Sequence, residues 1–502
     1  MMPCTLSFPP SLSYFGRVFL LFSSTYTNRH YLKMSSKFLE EFEHETTIEN
    51  GITVNAEKQL TEPVDGAFES ASKTTSPHTE ELRPAKPNPF SVCLGHIIPH
   101  GGVLSGMFNL ASVTLGAGIM SIPSSFNTSG MIMAIIYLVV VTILTVYSIT
   151  LLVTASEKSG LRSFESLARG LFGRGGDFFV AFLMWLLCFG GAIGYVVGIG
   201  DVFTAFFQHE SAPKFLREGD GGRRVFTSVV WILFMLPLVL PKHVNSLRYV
   251  SAIGVCFIIF FVICVIIHSG QFIAKNGFPQ DLVMFRSGNQ AISGLSLFMF
   301  AYLCQVNCFK IFYEMKKPSV KKMTIEAGLS CGICCLMYFL TGFFGYANFG
   351  ANLTGNALKY YNPYSSPMFF VCFIGFIVKL CAAFSLNMLA CRTAIFQVLH
   401  WDVETMPYWK HTLISVPFAV AALILGLFLP DISVVFGLVG AFCGGFIGFL
   451  FPALFVMYSG NWSLKTVGLF HYLATYFLMI CGVIAVVWGT GSTILETVIK
   501  YS

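Results

Sequence analysis

From about residue 100 to its end the chain is a succession of apolar runs of about twenty residues, separated by short polar breaks. At 1.5 Å rise per residue, each run is long enough to cross a hydrocarbon core about 30 Å thick. The pattern predicts eleven membrane-spanning helices, near 102–126, 130–154, 177–207, 225–241, 248–270, 290–313, 323–349, 367–391, 412–430, 432–458 and 466–490. The fold class expected is therefore an all-α polytopic membrane protein. Between spans 2 and 3, Phe164, Leu167 and Leu171 recur at helical spacing among Arg162, Arg169 and Arg174, which predicts a short amphipathic helix on the membrane face.

Two spans are poorly built as helices. Residues 108–130 read FNLASVTLGAGIMSIPSSFNTSG, with Gly116 and Gly118 near the middle and Pro123 just beyond. Pro123 has no N–H to offer the carbonyl of Ile119. A break near 114–119 is expected; the competing reading is a kinked but continuous helix. Broken backbone at membrane depth is tolerated only where protein buries it or it lines a watery cavity. Discontinuous helices of this kind form the binding sites of secondary transporters. Span 6 is the second irregular run, with the carboxamides of Gln305 and Asn307 inside an apolar stretch that begins at Tyr302. Polar groups in a span face the bundle interior. Two interruptions five spans apart suit a five-plus-five inverted repeat, although span 6 lacks the glycine pair of span 1. Glycines at 190, 194 and 198 in span 3 and at 437, 440, 444 and 448 in span 10 are read as close-packing stripes.

Composition agrees with the pattern. Charged residues make up 11% of the chain and mean hydropathy is +0.70, against about 25% charged in soluble domains. The net charge of +6 therefore implies no nucleic-acid partner; it bears on orientation. Loops on the side of the N-terminus hold fourteen Lys and Arg, Arg392 among them, and the opposite loops with the C-terminus hold eight. The bias predicts a cytoplasmic N-terminus and an extracellular C-terminus; the membrane expected is the plasma membrane. Asn352-Leu353-Thr354 is then an outward-facing glycosylation site, and Asn461-Trp462-Ser463 faces inward. Residues 1–95, rich in Glu, Ser, Thr, Lys and Pro over much of their length, read as a disordered cytoplasmic tail. Residues 96–495 form the membrane domain and 496–502 a short extracellular C-terminus. Met34 begins a more typical polar tail than Met1 and is read as the natural start.

Chemistry is sparse. Of fifteen cysteines, only Cys4 and Cys93 fall outside apolar runs, and the Cys331-x-x-Cys334 spacing reads as packing rather than as a metal site. No metal or cofactor is expected. No cluster of His, Asp or Cys marks an enzyme; His96 and His100 are the one pair at useful spacing. Asp177, Asp201, Asp431 and Glu314 fall near span ends, which leaves no carboxylate at the expected bundle centre. Lys379 is different. It lies about twelve residues into span 8, or about 18 Å along a helix, too deep for a stem of about 6 Å to carry the ammonium to water. An intramembrane ionisable group is a functional candidate by default. The alternative is a Lys that pairs with a carbonyl at the outer vestibule.

The run Asn109-Leu110-Ala111-Ser112-x-Thr114-Leu115-Gly116-Ala117-Gly118-Ile119-x-x-Ile122-Pro123 resembles the first span of the amino acid/auxin permease family. Tyr302-x-Cys304-Gln305-Val306-Asn307, ending in Tyr313-Glu314-Met315, looks most like the trypanosomatid amino acid transporters in that family, and Pro452-Ala453-Leu454 also fits. The resemblance covers roughly 95–495. It implies a LeuT-type fold of eleven spans and transport of amino acids by alternating access. It also implies that Thr114, Leu115, Gly116, Ala117, Gly118 and Ile119 form the unwound part of span 1. There the free N–H groups of 116–118 would receive the substrate carboxylate, as helix N-termini do. Tyr302, Gln305 and Asn307 would line or support the side-chain pocket. In that fold hydroxyls of span 8 and carbonyls of span 1 hold a sodium ion. Ser385 is the hydroxyl in question here, and Lys379 a tethered cation that would take the ion's place. Proton-coupled or sodium-independent transport of neutral amino acids is expected. A cationic amino acid permease and a non-transporting nutrient sensor on the same fold are the alternatives. The partners expected are an amino acid, a proton or other coupling ion, and the bilayer.

Overall fold

The structure is a computed structural model, and it describes residues 102–116, 118–207, 221–241, 247–364, 366–399, 407–429 and 431–501. The tail 1–95, Met34, the pair His96 and His100, and Ala117 lie outside the described residues. Every regular element among the described residues is helical. Among the described residues ten helices are long and apolar enough to cross a membrane, and a bent pair of shorter ones, taken as one span, makes eleven.

That pair is span 1. Its first half, 1a, is Val103–Thr114, and its second half, 1b, is Gly118–Ser129, with a bend of 63° between them. Leu115 leaves the helical region (ψ 66°), and Gly116 turns its N–H back onto the Thr114 carbonyl at 2.7 Å. The glycines thus interrupt the helix where the sequence places the break. Span 2 is Met131–Ser159, stopped by Gly160 in the left-handed region at φ 72°. Span 3 is Arg174–Phe207, span 4 Gly221–Val239 and span 5 Leu247–Asn276. Span 6 is broken too: 6a, Asn289–Ala301, gives way to irregular backbone, a single 3₁₀ turn over Gln305–Asn307, and then 6b, Cys308–Glu314. Spans 7, 8 and 9 are Val320–Phe349, Pro367–Val398 and Tyr408–Phe428.

Span 10, Ile432–Tyr458, widens into a π-turn over Gly444–Leu450 just before Pro452. Pro452 cannot donate to the Gly448 carbonyl. The Ser148 hydroxyl of span 2 takes that carbonyl instead, at 2.5 Å. Span 11, Leu469–Lys500, belongs to a helix that continues to Tyr501. Residues 496–501 thus continue the last helix.

Spans 3, 6, 8 and 10 are mostly buried, while spans 4, 9 and 11 turn large apolar side chains such as Phe234, Phe428 and Phe470 outward, as lipid-facing helices do. The glycine stripes pack as expected. A Cβ at Gly190 or Gly194 of span 3 would overlap Val439 or Phe436 of span 10. The predicted amphipathic helix is Phe164–Phe172, capped by Ser163, with Phe164, Leu167 and Ala168 buried. One orientation marker is corrected. Arg392 is 2% exposed inside span 8, so it is not a loop charge.

Candidate substrate site

The two broken spans meet at their breaks. Gly118, the first residue of 1b, faces Ala301, the last of 6a; a Cβ at 118 would lie 3.0 Å from the Ala301 Cα. No larger residue fits between these backbones without displacement. The Tyr338 hydroxyl of span 7 lies 2.6 Å from the Thr114 carbonyl and 3.0 Å from the Ala301 carbonyl. It donates to the two exposed ends of 1a and 6a, where carbonyls lose their intrahelical partners. Tyr338 is buried and its ring packs edge-on against Tyr302, with centroids 5.3 Å apart. The sequence reading missed this residue, although a tyrosine in the middle of an apolar span was the available signal.

The structure gathers most of the expected site residues here. Thr114, Leu115, Gly118 and Ile119 are buried at the crossing, and Gly116 closes the turn. The Gly116 N–H is engaged by Thr114, so in this conformation it is not a free donor. The Thr114 hydroxyl bonds its own helix at Leu110. Tyr302 is 1% exposed, and its hydroxyl meets that of Thr142 in span 2 at 2.8 Å. Gln305 reaches away from the crossing. Its amide nitrogen stands 3.5 Å from Ser148 Oγ, the same hydroxyl that satisfies Gly448, so Gln305 ties span 6 to spans 2 and 10. Asn307 is half-buried at the end of the 3₁₀ turn.

Lys379 and Ser385 are buried in span 8, which packs on spans 3 and 5. The Lys379 stem runs over Gly254 of span 5, where a Cβ would overlap it. The next residue, Leu380, and Met120 of 1b both lie against Gly198 of span 3. Lys379 is thus directed into the seam with span 5. Ser385 Oγ bonds the Cys381 carbonyl of its own helix at 3.0 Å.

Two buried acids lie in the spans, away from the crossing. Asp201 of span 3 is fully buried and held by Lys359 at 2.9 Å and Arg223 at 3.7 Å. A buried charge survives when paired, and these partners come from the 3₁₀ turn Ala357–Tyr360 and the first turn of span 4. Glu326 of span 7 is 1% exposed. Asp201 was read as a span-end acid and Glu326 was not singled out, because Lys321, Lys322 and Thr324 just before it read as the polar start of span 7. Asn352 is exposed at the end of the 3₁₀ turn Gly350–Asn352.

A family model described as transmembrane amino acid transporter protein matches residues 99–495. The mouse protein "Solute carrier family 38 member 10" is 25% identical over 364 residues, which are 69% of this chain and 32% of the relative. The Arabidopsis thaliana "Amino acid transporter AVT6E" is 24% identical over 403 residues, 78% of this chain and 82% of the relative. The matched region is thus about a third of the mouse relative's length and most of the plant relative's.

Proposed function

Because the chain belongs to the transmembrane amino acid transporter protein family, we propose that it is a secondary active permease for small neutral amino acids, coupled to protons and independent of sodium. The observation that carries the reading is the meeting of two interrupted spans at Gly118 and Ala301, with Tyr338 bonded to both. Interrupted helices near mid-depth expose backbone dipoles for an amino acid's carboxylate and amino groups, and transport follows if the halves rearrange around that point.

The named side chains at the crossing supply no carboxylate. Asp201 is committed to Lys359 and Arg223, and Glu326 lies three turns from Tyr338. That favours neutral over cationic substrates. Sodium independence rests on Lys379, buried in span 8 next to Leu380, which shares Gly198 of span 3 with Met120 of 1b. We read the N-terminus as cytoplasmic and the membrane as the plasma membrane; the Lys and Arg balance is thirteen against eight once Arg392 is withdrawn.

The test is uptake of radiolabelled amino acids in a permease-deficient yeast. Uptake is expected, unchanged when choline replaces sodium and collapsed by a proton ionophore. No uptake of any amino acid would refute the function, and strict sodium dependence would refute the coupling. Tags at Ser35 and after Ser502 test orientation, because only the second should be labelled on intact cells.

A further inference from the structure

Glu326, Ser330, Cys334 and Tyr338 lie four residues apart on span 7, so they stack one above another on one helix face. All four are buried, at 1% exposure or less. The row covers about 18 Å of helix. At its upper end Tyr338 holds the carbonyls of Thr114 and Ala301. Below it, Cys334 Sγ lies 4.0 Å from the Ala111 carbonyl of 1a. Among the described residues, neither oxygen of Glu326 has a hydrogen-bond partner. The Glu326 carboxyl rests on Gly106 of 1a, where a Cβ would overlap it. Half-span 1a therefore covers the acid, and 1a ends at the interruption that bends span 1.

No described residue donates to that carboxyl, and a carboxylate buried without donors is costly. The surroundings supply few other charges. Span 1a has no ionisable side chain, and span 2 offers Thr150, 3.0 Å from Thr324. Glu157 and Lys158 of span 2 are exposed at its end. Lys322, one turn before Glu326, bonds the Lys317 carbonyl at 3.1 Å. Span 5 carries Arg248 and Tyr249 in its first turn, and His268 farther along bonds Asn348 at 3.1 Å.

We propose that Glu326 binds the coupled proton and that Tyr338, Cys334 and Ser330 convey it there from the crossing of spans 1 and 6. The inference rests on the transport reading above. In each cycle a proton passes down the row by exchange at hydroxyl and thiol, each able to accept and donate, with water admitted between members. The O–H bond that forms on the Glu326 carboxylate is matched by one that breaks on Ser330; Cys334 and then Tyr338 restore the losses in turn, and hydronium at the crossing reprotonates Tyr338. When 1a tilts about its hinge, the carboxyl is uncovered and the proton leaves to the face where span 7 begins. An intramembrane acid without a partner is the group such relays use.

The experiment uses the full-length protein in liposomes with a trapped pH dye, and labelled alanine within a mixture of neutral amino acids as the probe. The wild type should exchange alanine and acidify the lumen when substrate is added. Glu326→Gln should lose the acidification at least tenfold while its alanine exchange stays within twofold; Glu326→Asp should restore part of the proton flux. Ser330→Ala should slow proton flux without slowing exchange. Acidification by Glu326→Gln at the wild-type rate overturns the inference alone. Alanine movement without protons in the wild type overturns it and leaves the transport reading standing, whereas no exchange of any amino acid removes both. Should the Gln variant fail to fold, dicyclohexylcarbodiimide, which attacks protonated buried carboxyls, is applied to the wild type. Glu326 should be modified at pH 5 and spared at pH 9, and its absence from the labelled peptides at pH 5 overturns the inference.

Discussion

The hydroxyl of Tyr338 can be removed with little else. Tyr338→Phe keeps the ring and its edge-on contact with Tyr302, and deletes the donor shared between the Thr114 and Ala301 carbonyls. Thr114 O retains the Gly116 N–H at 2.7 Å, so the main loss falls on Ala301. Removing one partner of a buried hydrogen bond costs about 1–3 kcal/mol. Only the conformation in which 1a and 6a approach each other pays it, so its population should fall about 5- to 150-fold against one in which they part. We expect a lower melting temperature in detergent, by several degrees or less in a chain this long. In the uptake assay the Michaelis constant should rise by the same factor, because substrate must then draw the halves together. Surface expression should hold. A Tyr338→Phe protein with unchanged Michaelis constant and melting temperature would refute the argument that this hydroxyl joins the two breaks.

Gly118→Val should abolish uptake without loss of surface protein, because the added atoms would press on the Ala301 backbone and force 1b away from 6a; normal kinetics would remove that contact from the site. Asn307→Asp should raise the preference for cationic over neutral amino acids severalfold in a competition assay, since a desolvated carboxylate attracts a second positive charge, and an unchanged profile would mean that Asn307 does not face the substrate. Lys359→Met should destabilise the fold by about 3–5 kcal/mol, because it removes the nearer partner of buried Asp201, and Asp201→Asn on top should recover part of that; the reading fails if the double variant melts no higher than the single.

The span pattern was legible because hydrocarbon imposes one length and one polarity on every crossing segment. The break in span 1 was legible for a local reason: Gly116, Gly118 and Pro123 each weaken a helix where they stand. Span 6 was read from Gln305 and Asn307, yet its helix stops at Ala301, and Gln305 reaches Ser148 of span 2, the hydroxyl that serves a carbonyl beside Pro452 in span 10. That partnership spans more than a hundred residues and leaves no local trace. Glu326 and Tyr338 were overlooked for a related reason. Spacing of four is visible in sequence, but whether the row faces lipid or protein depends on where 1a lies. Lys379 was found by depth alone; its neighbour Gly254 in span 5 was not foreseeable.

Half-span 6a is gripped on several sides by glycine contacts. Gly118 of 1b seats against Ala301, Gly294 of 6a against Ser129 at the far end of 1b, and Gly440 of span 10 against the Ser296 carbonyl. The contacts of Gly118 and Gly440 reach backbone, which has no rotamers to relax into, so a rod held this way has little soft direction of its own. It can shift only by carrying 1b with it or by leaving span 10 altogether, and packed interfaces of that sort switch between positions without filling the range between. A pair of spin labels on spans 6 and 10 should accordingly give two sharp distances whose proportions change with substrate, and no broad distribution between them.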